Sequence, residues 1–139
     1  MTRLSLIVVV TLMTIFSCST KNENNNNCEQ FKNGKFVFHL HGLKSEDDIL
    51  FSIERLDSIQ TETDKKTGNY TKLRVRWTDK CRYETIVLES TYPFSDSVQN
   101  IRKTLPLKTE IISFTKEYYV FKSHRDSLYT MTDTMWVIK

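Results

Sequence analysis

Only a few side chains in this chain have both the type and the spacing for chemistry, and the histidines are the first of them. His39 and His41 sit two residues apart in an alternating stretch, so on a strand they share a face and could share a metal ion. Glu46, Asp47 and Asp48 follow and could add an oxygen ligand. The competing reading is a pair of partly exposed histidines beside an acidic loop, and no metal site is assigned. His124, with Asp126 two residues on, is the one other imaginable base. There is no Gly-x-Ser-x-Gly elbow, His-Glu-x-x-His pair or glycine-rich phosphate loop, so no catalytic residue and no cofactor is assigned.

A second group is basic. Lys72, Arg74 and Arg76 form a stripe beside Tyr70 that could receive a phosphate, a lipid head group or an acidic partner. The same pattern is what the solvated face of an antiparallel strand looks like, with Glu84 offsetting it across a hairpin. In a wide barrel that face would instead line the interior and become a ligand site.

The cysteines are Cys18, Cys28 and Cys81. Cys18 closes the run Ile15-Phe16-Ser17-Cys18, which resembles the lipobox of bacterial lipoproteins, although Phe16 is larger than the residue usual there. Arg3 precedes an apolar stretch from Leu4 to Phe16, broken only by Ser5, Thr11 and Thr14. That stretch is shorter than the roughly 18 to 20 residues that span a bilayer, so a signal peptide is expected over residues 1–17. The resemblance implies that Cys18 becomes the lipidated N-terminus, held firmly by more than one acyl chain such as palmitate. An ordinary secretory signal cleaved after Ser17 is the alternative. Residues 18–27 then form a tether, since Ser19 to Asn27 offers nothing apolar to bury and can reach about 30 Å when extended. Lys21-Asn22-Glu23 loosely resembles a surface-export signal of lipoproteins, and serves equally as a plain spacer. With Cys18 lipidated, Cys28 and Cys81 are the thiols left, the right number for one disulfide in an oxidising compartment.

The full chain carries 20 Lys+Arg against 17 Asp+Glu, and losing residues 1–17 removes only Arg3 from that balance. Charge so nearly even gives no support to a nucleic-acid partner or to an acidic membrane surface.

The elements that must hold these residues read as strands. Lys35 to His41 alternates, with Phe36, Phe38 and Leu40 on one face. Ile49 to Leu56 puts Ile49, Phe51 and Ile53 together, and Asp57 to Thr63 is expected to continue the same strand. In Tyr70 to Trp77, Thr71, Leu73, Val75 and Trp77 oppose Tyr70, Lys72, Arg74 and Arg76, a strand with one buried and one wet face. Thr78-Asp79-Lys80 turns it into Cys81 to Ser90, predicting a hairpin over 70–90. Tyr92-Pro93-Phe94 interrupts the ladder, and Ser95 to Lys103 allows a single helical turn with Val98 and Ile101 facing inward. Leu107 to Phe114, Tyr118 to Ser123 and Leu128 to Ile138 complete the strands, the last with a bend near Thr132-Asp133-Thr134. Tyr118, Tyr119, Phe121, Tyr129 and Trp136 make this third aromatic, for core or for a partner surface. The expected fold is all-β over residues 28–139. It is an antiparallel meander of about seven or eight strands, as a small lipocalin-like barrel or a two-layer sandwich with at most one short helix.

Four stretches carry a family resemblance. They are Cys28-Glu29-Gln30-Phe31-Lys32-Asn33-Gly34-Lys35-Phe36, Ile53 to Glu62, and Val75-Arg76-Trp77-Thr78-Asp79-Lys80-Cys81-Arg82-Tyr83-Glu84, with Thr134 to Lys139 at the end. The domain resembles a group of small Bacteroidota lipoproteins with a Cys-x-x-Phe-x-x-Gly-x-Phe start and a Trp-x-x-x-Cys-x-Tyr hairpin. That resemblance implies no activity. Members sometimes carry the label topoisomerase IV, which does not suit a small exported domain whose charge is nearly balanced.

The expected role is therefore a non-enzymatic lipoprotein of the cell envelope, anchored to the outer membrane on its periplasmic or outer side, that binds or assists an envelope protein. A lipocalin-like carrier of a small apolar ligand comes second, and an exported hydrolase third. The first two differ in their interiors. A carrier needs space between inward positions such as Phe36, Leu73, Val75 and Ile111, whereas an accessory domain should be filled.

Overall fold

The computed structural model describes residues 28–39 and 49–139. The expectations placed on residues 1–17, Cys18, the 18–27 tether, Leu40, His41 and Glu46, Asp47 and Asp48 lie outside the described residues.

A turn of 3-10 helix at Glu29–Phe31 leads into β1 (Gly34–His39). Then come β2 (Ile49–Leu56), β3 (Ile59–Asp64), β4 (Tyr70–Asp79) and β5 (Arg82–Ser90). After α1 (Asp96–Thr104) the chain finishes with β6 (Leu107–Phe114), β7 (Tyr118–Arg125) and β8 (Tyr129–Ile138). Each strand pairs antiparallel with the next, and β8 returns to β1 with Phe36 opposite Val137 and Phe38 opposite Met135. The result is a closed eight-stranded barrel, which decides against the sandwich.

Period-two alternation explains why these segments close around one interior. On β4 the burial runs Thr71, Leu73 and Val75 inside against Lys72, Arg74 and Arg76 outside. Tyr83, Thr85 and Val87 on β5, Tyr119, Phe121 and Ser123 on β7, and Met135 on β8 keep the same odd-numbered frame. Phe36, Ile53 and Ile111 are buried with them.

Three details depart from the sequence expectation. The run from Ile49 to Thr63 is two strands, because Asp57 adopts a positive φ of 55° and folds β3 back on β2, pairing Leu56 with Ile59. The inward frame shifts there from Ile53 and Arg55 to Gln60 and Glu62, which a continuous strand would not allow. The helix is nine residues long, more than a single turn, and it buries none of them. Val98 and Ile101 remain 40% and 39% exposed instead of facing inward, since α1 sits at the barrel rim. Lastly, β8 runs unbroken through Thr132, Asp133 and Thr134.

Strand direction alternates, so the connections sort into two ends. The 28–33 segment, the Asp57-Ser58 turn and the β4–β5 and β6–β7 turns share one end. The 65–69 turn, the 91–106 connection with α1, and the 126–128 turn share the other. At the first end Cys28 and Cys81 form a disulfide with their Cα atoms 5.1 Å apart, tying the start of the domain to the β4–β5 turn. Phe31 drops beneath the strands, its ring 4.7 Å from Tyr119 and 5.4 Å from Phe114. Gly34 allows this entry: its φ is +140°, and a Cβ there would stand 3.3 Å from the Phe36 ring.

The wall is not uniform. β5 ladders with β6 only over Arg82 to Thr85, opposite Glu110 to Leu107, while β4 follows β5 up to Ser90. The upper part of β5 thus parts from β6 where α1 crosses the rim.

Candidate ligand cavity

The first end of the barrel is plugged by a buried arginine. Arg55 continues the inward frame of Phe51 and Ile53, and it is 1% exposed. Its Nε donates to Oε1 of Gln60 at 2.8 Å and Nη1 to the Phe31 carbonyl at 2.7 Å. Nη2 donates to the hydroxyls of Tyr83 at 3.2 Å and Tyr119 at 3.3 Å. The guanidinium lies 4.6 Å from the Tyr83 ring, 5.4 Å from Phe36 and 5.7 Å from Trp77. Burial works against its charge, but the two tyrosine oxygens outweigh that and hold the group above its ordinary range. Burial also raises the Tyr119 hydroxyl, with Tyr83 adding to the effect. An arginine with these partners is a structural cation, held by neutral acceptors and aromatic faces.

Above this floor the barrel is hollow, with a cavity of about 490 Å³. Ile53, Tyr83, Phe121 and Met135 form its lower lining, and Thr85, Thr109 and Ser123 its middle. Those three small residues occupy inward positions on β5, β6 and β7, where larger side chains would close the space. Thr109 and Ser123 satisfy each other with hydroxyls 2.7 Å apart, so that stretch of wall asks nothing of solvent. Leu50, Leu107 and Met131 line the cavity further up, with Leu50 placed by an irregularity in the β1–β2 register. The volume falls in the range of roughly 300 to 1,000 Å³ usual for small-molecule sites.

The polar residues lie towards the end away from Arg55, which stands open among the described residues. Nε2 of Gln60 donates to Oε1 of Glu62 at 2.6 Å, one step up from Arg55. Burial pushes the Glu62 carboxyl up, and the Gln60 bond and the charges of Arg102 and Arg55 only partly restrain it. Asp133 and Tyr129 line the same region, and burial raises the Tyr129 phenol. Arg125 ends the inward frame of β7, and its guanidinium is lowered by burial and by the nearby Arg102 charge. Asp64 organises the rim by accepting from the backbone of Lys66 at 2.7 Å, the backbone of Thr67 at 3.0 Å and the Tyr92 hydroxyl at 2.9 Å. The Thr67 and Lys66 bonds hold its carboxyl below the usual range, while burial and Asp64 push Tyr92 up to about 12.

The residues singled out from sequence lie elsewhere. Lys72, Arg74 and Arg76 are exposed on the outer wall, where Arg76 pairs with Glu84 across the hairpin and Lys72 faces Glu89. They do not line the interior. His39 is buried on the outward face of β1, its ring 6.3 Å from that of Trp136. Among the described residues no three His, Cys, Asp or Glu side chains gather to hold a metal. His124 is exposed on the outside of β7, and Asp126 makes the following turn with a positive φ of 46°. Arg55, Gln60, Glu62, Arg102 and Arg125 escaped the sequence reading. Arg55 had a signal, because it extends a face made of Phe51 and Ile53. Arg102, on a short connection of mixed polarity, had none.

No family model, curated protein or solved structure matches this chain.

Proposed function

We propose that the barrel is a carrier that holds one small, largely apolar molecule in its interior. The cavity of about 490 Å³ carries this reading. Closed eight-stranded barrels either fill their interior with side chains or hold a single small ligand. An accessory domain is the first expectation from sequence; Phe36, Leu73, Val75 and Ile111 are buried and line no part of the cavity, and the carrier reading is supported instead by the gap above Ile53, Tyr83 and Phe121. The Cys28–Cys81 disulfide and the Leu4 to Cys18 segment support an envelope location, with the carrier tethered to the outer membrane. Its task would be to take up an apolar molecule at the membrane surface and shield it from water.

The test is a titration with N-phenyl-1-naphthylamine, a neutral apolar dye that fluoresces when it leaves water. Saturable binding of one dye per chain is expected. Thr85→Phe should fill the cavity, weaken the dye at least tenfold and leave the urea midpoint unchanged or higher. Absence of saturable binding by the parent chain overturns the carrier reading, as does full binding by the filled variant.

A further inference from the structure

Two cations, Arg102 and Arg125, carry buried nitrogens without a hydrogen-bond acceptor at the end of the barrel away from Arg55. Arg102 is on α1 and Arg125 is at the last inward position of β7, and both elements reach the same end of the barrel. The Nη1 of Arg102 and the Nε of Arg125 are both buried, and neither donates a hydrogen bond. Neither residue belongs to an ion pair among the described residues, although four other pairs form there. Arg102 is held by the Phe94 ring, 4.5 Å from its guanidinium. The two charges are close enough that Arg102 disfavours the charge on Arg125.

Buried guanidinium donors without acceptors are costly, and two that repel each other are costlier. Arg55 shows what the same barrel does with an arginine it needs only for structure, since every one of its nitrogens is bonded. Among the described residues no carboxylate forms an ion pair with either guanidinium, although Glu62 is near enough for the Arg102 charge to favour its ionised form. Oε1 of Glu62 is taken by Gln60, and burial biases that carboxyl towards its neutral form. Asp133 turns Oδ1 to the backbone N–H of Thr134 at 2.7 Å. The cavity lining towards that end includes Tyr129, Leu107 and Met131, with the apolar floor beyond.

Resting on the carrier reading, we propose that Arg102 and Arg125 are the head-group subsite of the cavity, and that the ligand is an alkyl chain bearing a single carboxylate or phosphate. The anion pairs with the two guanidiniums at the rim, where planar forks of N–H donors suit either oxyanion. The chain descends between Leu107 and Met131 towards Phe121. Binding thereby removes the repulsion across the rim and joins α1 to β7 over the open end.

The experiment is competition against bound N-phenyl-1-naphthylamine on the full chain. The competitors are dodecanoate, dodecyl phosphate, dodecanol and dodecylamine, each below its micelle concentration. One of the two anions should displace the dye at least tenfold more tightly than dodecanol, with dodecylamine weakest, and the tighter anion identifies the head group. In Arg102→Met and Arg125→Met the anion advantage should fall several-fold, and in the double variant to less than about threefold. One dye per chain should still bind saturably, and the urea midpoint should stay close to the parent's, which reports that fold and cavity persist. Equal binding of anion and alcohol, tightest binding of dodecylamine, or an anion advantage that survives the double variant overturns this proposal while the dye still reports a carrier. Failure of the dye to bind at all removes the carrier reading and the subsite with it.

Discussion

The guanidinium of Arg55 sets the orientation of the Gln60 side chain. Because Oε1 of Gln60 accepts from Arg55 at 2.8 Å, its amide nitrogen is the end that faces Glu62, at 2.6 Å. A cation at the closed end of the barrel is thus connected through one amide to a carboxyl on the way to the open end. The connection lies wholly inside the barrel, and it would be lost by any shift of β2 against β3.

Arg55→Met should lower stability by roughly 3 kcal/mol or more. Methionine restores much of the volume, but the Phe31 carbonyl and Gln60 Oε1 would lose a buried partner. Urea unfolding followed by tryptophan fluorescence measures this directly.

Glu62→Gln should stabilise the chain at neutral pH. A buried carboxyl raised above its unfolded value of about 4.3 binds its proton more tightly in the folded state. The parent chain therefore loses stability as pH rises from about 4 through the folded value, while the glutamine variant does not. Below about pH 4 both forms are neutral and the difference should vanish. Urea midpoints at a series of pH values would show a gap that opens upward, and a gap that opens downward would contradict the assigned burial.

Removing the disulfide by Cys28→Ser with Cys81→Ser should cost on the order of 4 kcal/mol, from the entropy of a loop with a sequence separation of 53. The dye should still bind the folded fraction, because the cavity lies at the other side of the Arg55 floor. Thermal unfolding with and without reductant provides the comparison.

The rim around α1 should open before the rest of the barrel. The helix buries no residue, and β5 has no β6 partner above Thr85. Its amides should exchange with deuterium roughly 100-fold faster than those of β4, which is paired on both sides. Exchange in α1 should slow when dodecanoate is bound, and uniform protection across the chain would argue against an opening at this place.

Much of the wall was readable from the order of residues. The opposition of Leu73 and Val75 to Lys72, Arg74 and Arg76 determined which face of β4 is wet, because on a strand neighbouring side chains must diverge. With Cys18 set aside, Cys28 and Cys81 pointed to one bridge, and the two are joined. The Asp57 turn was missed, since Leu56 and Ile59 on either side keep an apolar look that a longer strand would share. The inward reading of Val98 and Ile101 failed because a helical period says which residues share a face and says nothing about what that face meets.

By itself, then, the sequence determined an all-β domain of antiparallel strands, their faces and the crosslink, all of which depend on neighbours or on pairing chemistry. Only tertiary structure decided that the sheet closes, with β8 beside β1, and that the middle of the barrel is hollow. A cavity is a deficit of volume among residues far apart in the chain, here Thr85, Thr109 and Ser123 above Tyr83 and Phe121. The meeting of Arg102 with Arg125 is of the same kind, since a helix and a distant strand share that rim only after the barrel has closed.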